Sequence, residues 1–153
     1  MISPEGDILH RKSVPSPRSV FTTVSADGTE FVGVLSEVTG HVSYFTTDEL
    51  HLTLIHNLLK GACGVAPSNE EHVYLTDTES DQVHVFRQRE RTWKHLRQFS
   101  TPAGPYDVTE QDGSVFVSCT SAAVIVVQRQ PESSFIPFID EGLLRPRGLA
   151  WVA

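Results

Sequence analysis

Long apolar runs, clustered basic residues and cysteines are all scarce in this chain of 153 residues. No apolar run approaches the roughly 18 residues that a membrane-spanning helix needs, so we expect no membrane partner. The net charge of −7 and the scattered Lys and Arg argue against nucleic-acid binding, which needs concentrated positive charge. Residues 1–12 lack the cationic-then-apolar order of a signal peptide, which favours a cytoplasmic location.

The only cysteines are Cys63 and Cys119. Two cysteines cannot staple a domain of this size, and neither belongs to a C-x-x-C motif. We expect two small, partly buried thiols, with a disulfide between them as the alternative.

Helical periodicity is also scarce. The segment 48–60 is the one candidate helix, but the alternation of Leu50, Leu52 and Leu54 favours a strand. Elsewhere, short β-rich runs recur between turn residues. The sequence therefore predicts an all-β fold.

A motif returns about every 41 to 43 residues, which is the length of a four-stranded propeller blade. The first two copies align without a gap over 23–45 and 64–86. A third copy runs from Asp107 to Val127, and a fourth opens at Arg147. The dipeptides Asp27-Gly28 and Asp112-Gly113 supply the positive-φ positions of tight hairpins. In the first two copies, Val24, Val32, Val42 and Phe45 align with Val65, Val73, Val83 and Phe86.

The second copy resembles the NHL and YVTN type of β-propeller repeat, and it resembles WD40 blades in architecture. The resemblance lies in Gly64–Ala66, in Val73–Asp77 and in Val83–Phe86. The first and third copies depart from it, with Ser36 and Cys119 where Asp is expected. It implies a single partial β-propeller domain over 1–153 with about three four-stranded antiparallel blades. We place the blades at about 18–56, 62–100 and 105–140, with partial repeats at 1–14 and 146–153.

Three blades cannot close a ring, because natural propellers have roughly four to eight. Open ends would expose apolar strands to water. Either the missing blades belong to a longer chain, or two copies associate into one ring of about seven blades. The end of the sequence inside the strand 147–152 favours the first explanation.

Loops at one end of the blades surround the central channel of a propeller, and three charged residues lie at the inner-strand entrances there. Arg18 and Arg147 could clamp a carboxylate or phosphate group. The alternative is that they form inter-blade ion pairs with residues such as Asp107.

The acidic loop Asp77–Asp81 could hold a hard cation through oxygen ligands. The alternative is a solvated turn in which Asp77 accepts hydrogen bonds from backbone amides. The seven histidines form no H-x-x-x-H pair and do not recur in register. We predict no metal-ligating residue and identify no catalytic residue.

The resemblance is specific for architecture, since the same repeat serves lyases, lactonases and binding modules. We expect a binding or scaffold module without a cofactor that recognises a protein, peptide or small-molecule ligand on its channel face. The alternative is a lactonase- or lyase-like enzyme with Ca²⁺ or another divalent cation in the channel. In that case Asp107 is the one candidate ligand, and part of the site would lie on other blades.

Overall fold

The computed structural model describes residues 13–24, 28–46, 50–54, 61–68, 72–89, 92–130 and 133–150. For 50–54, 88–89 and 92–93 it describes the backbone alone. These residues form three four-stranded sheets, which we call blades one, two and three. In each blade, neighbouring strands pair antiparallel in chain order, so the predicted all-β architecture of four-stranded antiparallel blades is confirmed.

Blade one contains β1 (Pro17–Val24), β2 (Glu30–Ser36), β3 (Val42–Phe45) and β4 (Leu50–Leu54). Blade two contains β5 (Ala62–Pro67), β6 (His72–Asp77), β7 (Gln82–Arg89) and β8 (Thr92–Ser100). Blade three contains β9 (Pro105–Gln111), β10 (Ser114–Cys119), β11 (Val124–Gln128) and β12 (Ile136–Ile139). The predicted strand at Leu50–Leu54 is therefore present, while 48–49 and 55–60 lie outside the described residues.

A tight hairpin joins the first two strands of blade three, as its turn residues predict. In blade three, Asp112 and Gly113 have φ values of 50° and 76°. Two successive positive-φ residues make a turn whose twist matches that of the strands on either side. In blade one, Gly28 has a φ of 83°, and its predicted partner Asp27 lies outside the described residues.

The blades pack face to face through two apolar layers. Between blades one and two, Phe21, Leu35 and Tyr44 meet Leu75 and Phe86. Between blades two and three, the layer is mainly aliphatic. It contains Ala66, Tyr74, Val83 and Val85 from blade two and Val108, Val115, Val117 and Val126 from blade three. Period-two alternation thus buries both faces of blade two.

Hydroxyl groups also tie blade two and blade three to the backbone that follows each of them. Thr76 donates to the Tyr106 carbonyl at 3.0 Å, and Thr78 donates to the Pro105 carbonyl at 2.9 Å. Blade three makes the same two contacts. Ser118 donates to the Arg147 carbonyl at 3.2 Å, and Thr120 donates to the Pro146 carbonyl at 2.7 Å. The segment 146–150 therefore occupies the place of a fourth inner strand.

That segment is bound to blade three by the side chains of Ser118, Thr120 and Asp107. Among the described residues, it forms no strand pairing of its own. Residues 151–153, which complete the predicted partial repeat, lie outside the described residues. So does most of the predicted partial repeat at 1–14, of which only 13–14 are described. The described residues contain no helix of the length and hydropathy that crossing a bilayer requires.

Candidate functional site on the channel face

The loop after the second strand and the loop before the inner strand lie at the same end of each blade, because one backbone hydrogen bond joins them in all three blades. In each blade, the first amide after the second strand donates to the carbonyl just before the inner strand. These bonds are Glu37 to Ser16 at 3.0 Å, Thr78 to Gly61 at 2.9 Å and Thr120 to Gly104 at 2.7 Å. We call this end the channel face.

At the centre of the channel face, two arginines converge on one aromatic ring. The Arg18 guanidinium lies 4.6 Å from the centroid of the Tyr106 ring, and the Arg147 guanidinium lies 5.3 Å from it. Arg18 also donates a hydrogen bond to the Tyr106 hydroxyl and pairs with Glu37 at 3.2 Å. The inner-strand entrances of blade one and blade three and the segment 146–150 thus meet at a ring that holds positive charge against its π face.

Asp107 was the expected ion-pair partner of these arginines, and the structure gives its carboxylate a different role. Its two oxygens accept hydrogen bonds from the amides of Val108 at 3.0 Å and Leu149 at 2.9 Å. Burial raises the pKa of Asp107, and the hydrogen bonds from Leu149 and Val108 act against that rise. Asp107 therefore joins blade three to segment 146–150, and Glu37 is the acid that pairs with Arg18.

Asp77 is the last residue of β6, where the acidic loop begins, and it is buried, with 1% of its surface exposed. One of its oxygens accepts the amides of Gly61 and Glu79, both at 3.0 Å. Asp81 in turn accepts the Gly104 amide at 2.7 Å. These bonds match the alternative in which Asp77 caps a turn. Within the described part of the chain, no three His, Cys, Asp or Glu residues are placed to hold a metal ion.

A cleft of about 540 Å³ opens beside Arg147, between the β10–β11 turn and segment 144–147. Arg145, whose φ is 50°, brings a second guanidinium-bearing side chain to this cleft. Hydroxyl groups and small apolar groups complete its wall. The lining residues are Thr120, Ser121, Ala123, Leu144, Arg145 and Arg147.

Sequence reasoning placed Arg18, Arg147 and Asp107 at strand entrances but missed the residue that brings them together. Tyr106 immediately precedes Asp107, where the third copy of the repeat begins. The signal was present, because Tyr106 occupies in the third copy the place that Arg147 occupies in the fourth. The predicted site residue Asp77 accepts hydrogen bonds from the Gly61 and Glu79 amides in blade two.

No protein-family model and no curated protein matches the chain. Solved structures do match it, and they include propellers. Hydrazine synthase from Kuenenia stuttgartiensis matches with a TM-score of 0.69 and 16% identity, over 90% of this chain and 39% of that one. The chain is part of a β-propeller.

Two further propellers match almost as well. A putative 6-phosphogluconolactonase from Bacteroides uniformis gives a TM-score of 0.65 and 17% identity, over 91% of this chain and 43% of that one. Virginiamycin B lyase from Staphylococcus aureus gives a TM-score of 0.64 and 12% identity, over 90% of this chain and 46% of that one. The chain thus spans less than half the length of these propellers, and identities this low establish the fold alone.

Proposed function

We propose that the channel face of this partial propeller recognises a carboxylate or phosphate group on a peptide or small-molecule ligand. One observation carries the proposal: Arg147 both packs on the Tyr106 ring and lines the 540 Å³ cleft together with Arg145. A planar guanidinium held against a ring keeps its edge available for bidentate hydrogen bonds to such groups.

The distribution of charge supports Arg147 as the main contact. Arg18 is already paired with Glu37, so its charge is largely compensated. The salt bridges formed among the described residues use neither Arg145 nor Arg147. In a chain of net charge −7, two adjacent arginines at one cleft are a local positive site. Such a site attracts anionic ligands.

The cleft also offers a neutral hydrogen-bond donor. Ser121 lines it and carries a hydroxyl, whereas the hydroxyl of its neighbour Thr120 is used in the bond to Pro146. A ligand anion bound between Arg145 and Arg147 could accept a third bond from Ser121. The apolar side chains of Ala123 and Leu144 border the cleft and suit a ligand with an apolar portion.

The experiment is isothermal titration calorimetry on the full chain with three probes: inorganic phosphate, citrate and a Glu-rich peptide. Sodium chloride at equal ionic strength serves as the blank. We expect saturable binding of at least one probe, and the three probes separate phosphate from carboxylate and small ligands from peptides. Arg147→Ala is expected to weaken that binding about tenfold or more, as loss of a charge-assisted hydrogen bond does.

The matched control is Arg129→Ala, which removes an exposed arginine just after β11, outside the channel-face loops. It is expected to bind the probe as the wild type does. If no probe binds saturably, or if the two arginine variants lose affinity equally, the proposal is wrong.

A further inference from the structure

The backbone that carries Arg145 and Arg147 repeats a feature of two inner-strand entrances. At each of these places a residue with positive φ is followed by a proline, and the residue after the proline takes part in the cluster at the Tyr106 ring. The three tripeptides are Ser16-Pro17-Arg18, Gly104-Pro105-Tyr106 and Arg145-Pro146-Arg147, and their first residues have φ values of 41°, 73° and 50°. The fold therefore uses a left-handed backbone conformation before each of these prolines.

That conformation suits glycine, as at Gly104, whereas an arginine adopts it at a cost. A Cβ atom disfavours the left-handed region, and a following proline favours an extended backbone instead. Residues other than glycine that hold such conformations cluster at functional sites. Arg145 holds one and also lines the cleft beside Arg147. Its side chain is the feature that a glycine could not supply there.

The backbone around the two arginines is held in place by blade three. The Thr120 hydroxyl donates to the Pro146 carbonyl at 2.7 Å, and the Ser118 hydroxyl donates to the Arg147 carbonyl at 3.2 Å. The Arg147 guanidinium also lies 5.3 Å from the centre of the Tyr106 ring. The positions from which both arginines reach the cleft are thus fixed before a ligand arrives, which lowers the entropy cost of binding.

The described residues that line the cleft carry two positive charges and no carboxylate. The six are two arginines, two residues with hydroxyl groups and two apolar residues. A carboxylate would neutralise one of the two charges, whereas a phosphate monoester carries a charge of about −1.5 to −2 at pH 7. The terminal oxygens of such a group can accept hydrogen bonds from both guanidinium groups and from a serine hydroxyl.

We propose that Arg145 makes the cleft selective for a phosphate monoester over a carboxylate, an inference that rests on the proposed function. Arg147, held on the Tyr106 ring, supplies the contact that both kinds of anion use. Arg145 supplies a second positive charge, which only a dianion uses fully. The strained backbone at Arg145 is then the stability cost of this selectivity.

The test is isothermal titration calorimetry on the full chain with phenyl phosphate and benzoate, which share an aromatic ring and differ in the anionic group. Phenyl phosphate is expected to bind about tenfold or more tightly than benzoate. Arg145→Gly is expected to weaken phenyl phosphate binding about tenfold and benzoate binding less than about threefold, because Arg147 remains. Arg145→Lys keeps the positive charge and is expected to restore part of the selectivity.

The same variant has a stability readout. Because glycine adopts a positive φ readily, Arg145→Gly is expected to raise the melting temperature by about 1–4 °C. Ser16→Gly is the matched control, since it makes the same backbone change at the equivalent place in blade one, outside the lining of the cleft. It is expected to raise the melting temperature similarly and to leave both affinities unchanged.

A short peptide with one phosphotyrosine distinguishes the two sources of such a group, because its side chain is a phenyl phosphate. Tighter binding of this peptide than of phenyl phosphate would assign the group to a peptide ligand. Equal or weaker binding would assign it to a small molecule. Both results support the inference, since the phosphate monoester is common to the two probes.

Equal affinity of the wild type for phenyl phosphate and benzoate would overturn the inference. So would an equal loss of both affinities in Arg145→Gly. Either result would leave the proposed function standing, because that function depends on Arg147. A lower melting temperature of Arg145→Gly would assign Arg145 a structural role and would also overturn the inference. If neither anion binds saturably, the proposed function fails together with it.

Discussion

The Arg18 guanidinium on β1 lies 4.6 Å from the centre of the Tyr106 ring on β9, although the two residues are 88 positions apart and a whole blade separates their strands. Such a contact requires the inner strands of three successive blades to converge at one end. It therefore links the fold to the candidate site, because the same convergence brings Arg147 to within 5.3 Å of the centre of that ring.

Replacing Tyr106 should reveal how much this convergence stabilises the protein. Tyr106→Ala removes the ring from two cation–π contacts, and we expect the free energy of unfolding to fall by about 1–3 kcal/mol. Tyr106→Phe keeps the ring and loses the hydroxyl, so it should cost less. Urea denaturation measures both values. Equal losses in the two variants would assign the effect to the hydroxyl rather than to the ring.

The Thr76 hydroxyl is a second element that joins blades two and three. It accepts the Gly64 amide at 2.7 Å and donates to the Tyr106 carbonyl at 3.0 Å, with no surface exposed. Thr76→Val keeps the shape but leaves both buried groups without that partner. We expect a loss of about 1–3 kcal/mol in denaturant unfolding. Thr76→Ser, which keeps the hydroxyl, should recover part of this loss. A Thr76→Val variant as stable as the wild type would contradict the role of the hydroxyl in joining blades two and three.

Gly64 marks the closest approach of blades two and three. A Cβ atom built there would stand 2.7 Å from both the Cα of Asp107 and the carbonyl oxygen of Tyr106, and neither backbone atom can move aside cheaply. Gly64→Ala should therefore destabilise the protein by about 1–3 kcal/mol.

Gly148→Ala is the control for that substitution, since nothing lies within 4 Å of its added methyl group. Its unfolding free energy should stay within about 0.5 kcal/mol of the wild type. Thermal or urea denaturation of both variants gives the comparison. Similar effects at the two positions would mean that blades two and three do not meet at Gly64.

The pH dependence of stability should reflect a histidine pair in blade two. His84 Nδ1 lies 3.2 Å from His95 Nε2, and burial lowers the pKa of His95. As pH falls through the ordinary value of about 6.5, the unfolded chain binds the proton before the folded chain does, so stability falls. His95→Gln should flatten this decline in urea midpoints measured between neutral and mildly acidic pH. Parallel profiles for variant and wild type would rule out His95 as the source.

Strand positions could be predicted from the sequence because period-two alternation and Asp-Gly turns are local signals. The turn at Asp112-Gly113 and the strand at Leu50–Leu54 both follow from them. Contacts between blades are not local, so the contact of Arg18 with the Tyr106 ring was not predicted. One signal was overlooked: Thr76 and Ser118 occupy equivalent positions in two copies, and a recurring hydroxyl within apolar strands indicates a repeated hydrogen bond.

The cleft beside Arg147 could not be predicted from the sequence, because it depends on side chains that do not repeat. Arg145 and Ser121 have no counterparts of the same type in the other copies, and only the fold brings them to one cleft. The NHL or YVTN assignment likewise stays a prediction, since architecture is shared by many propellers with different functions.

The most direct test of the account is a nuclear Overhauser spectrum of the full chain with assigned tyrosine and arginine side chains. Convergence of the inner strands predicts cross-peaks from the ring protons of Tyr106 to the side-chain protons of both Arg18 and Arg147. A Tyr106 ring that shows cross-peaks only within blade three would contradict the radial arrangement of the blades and the site built on it.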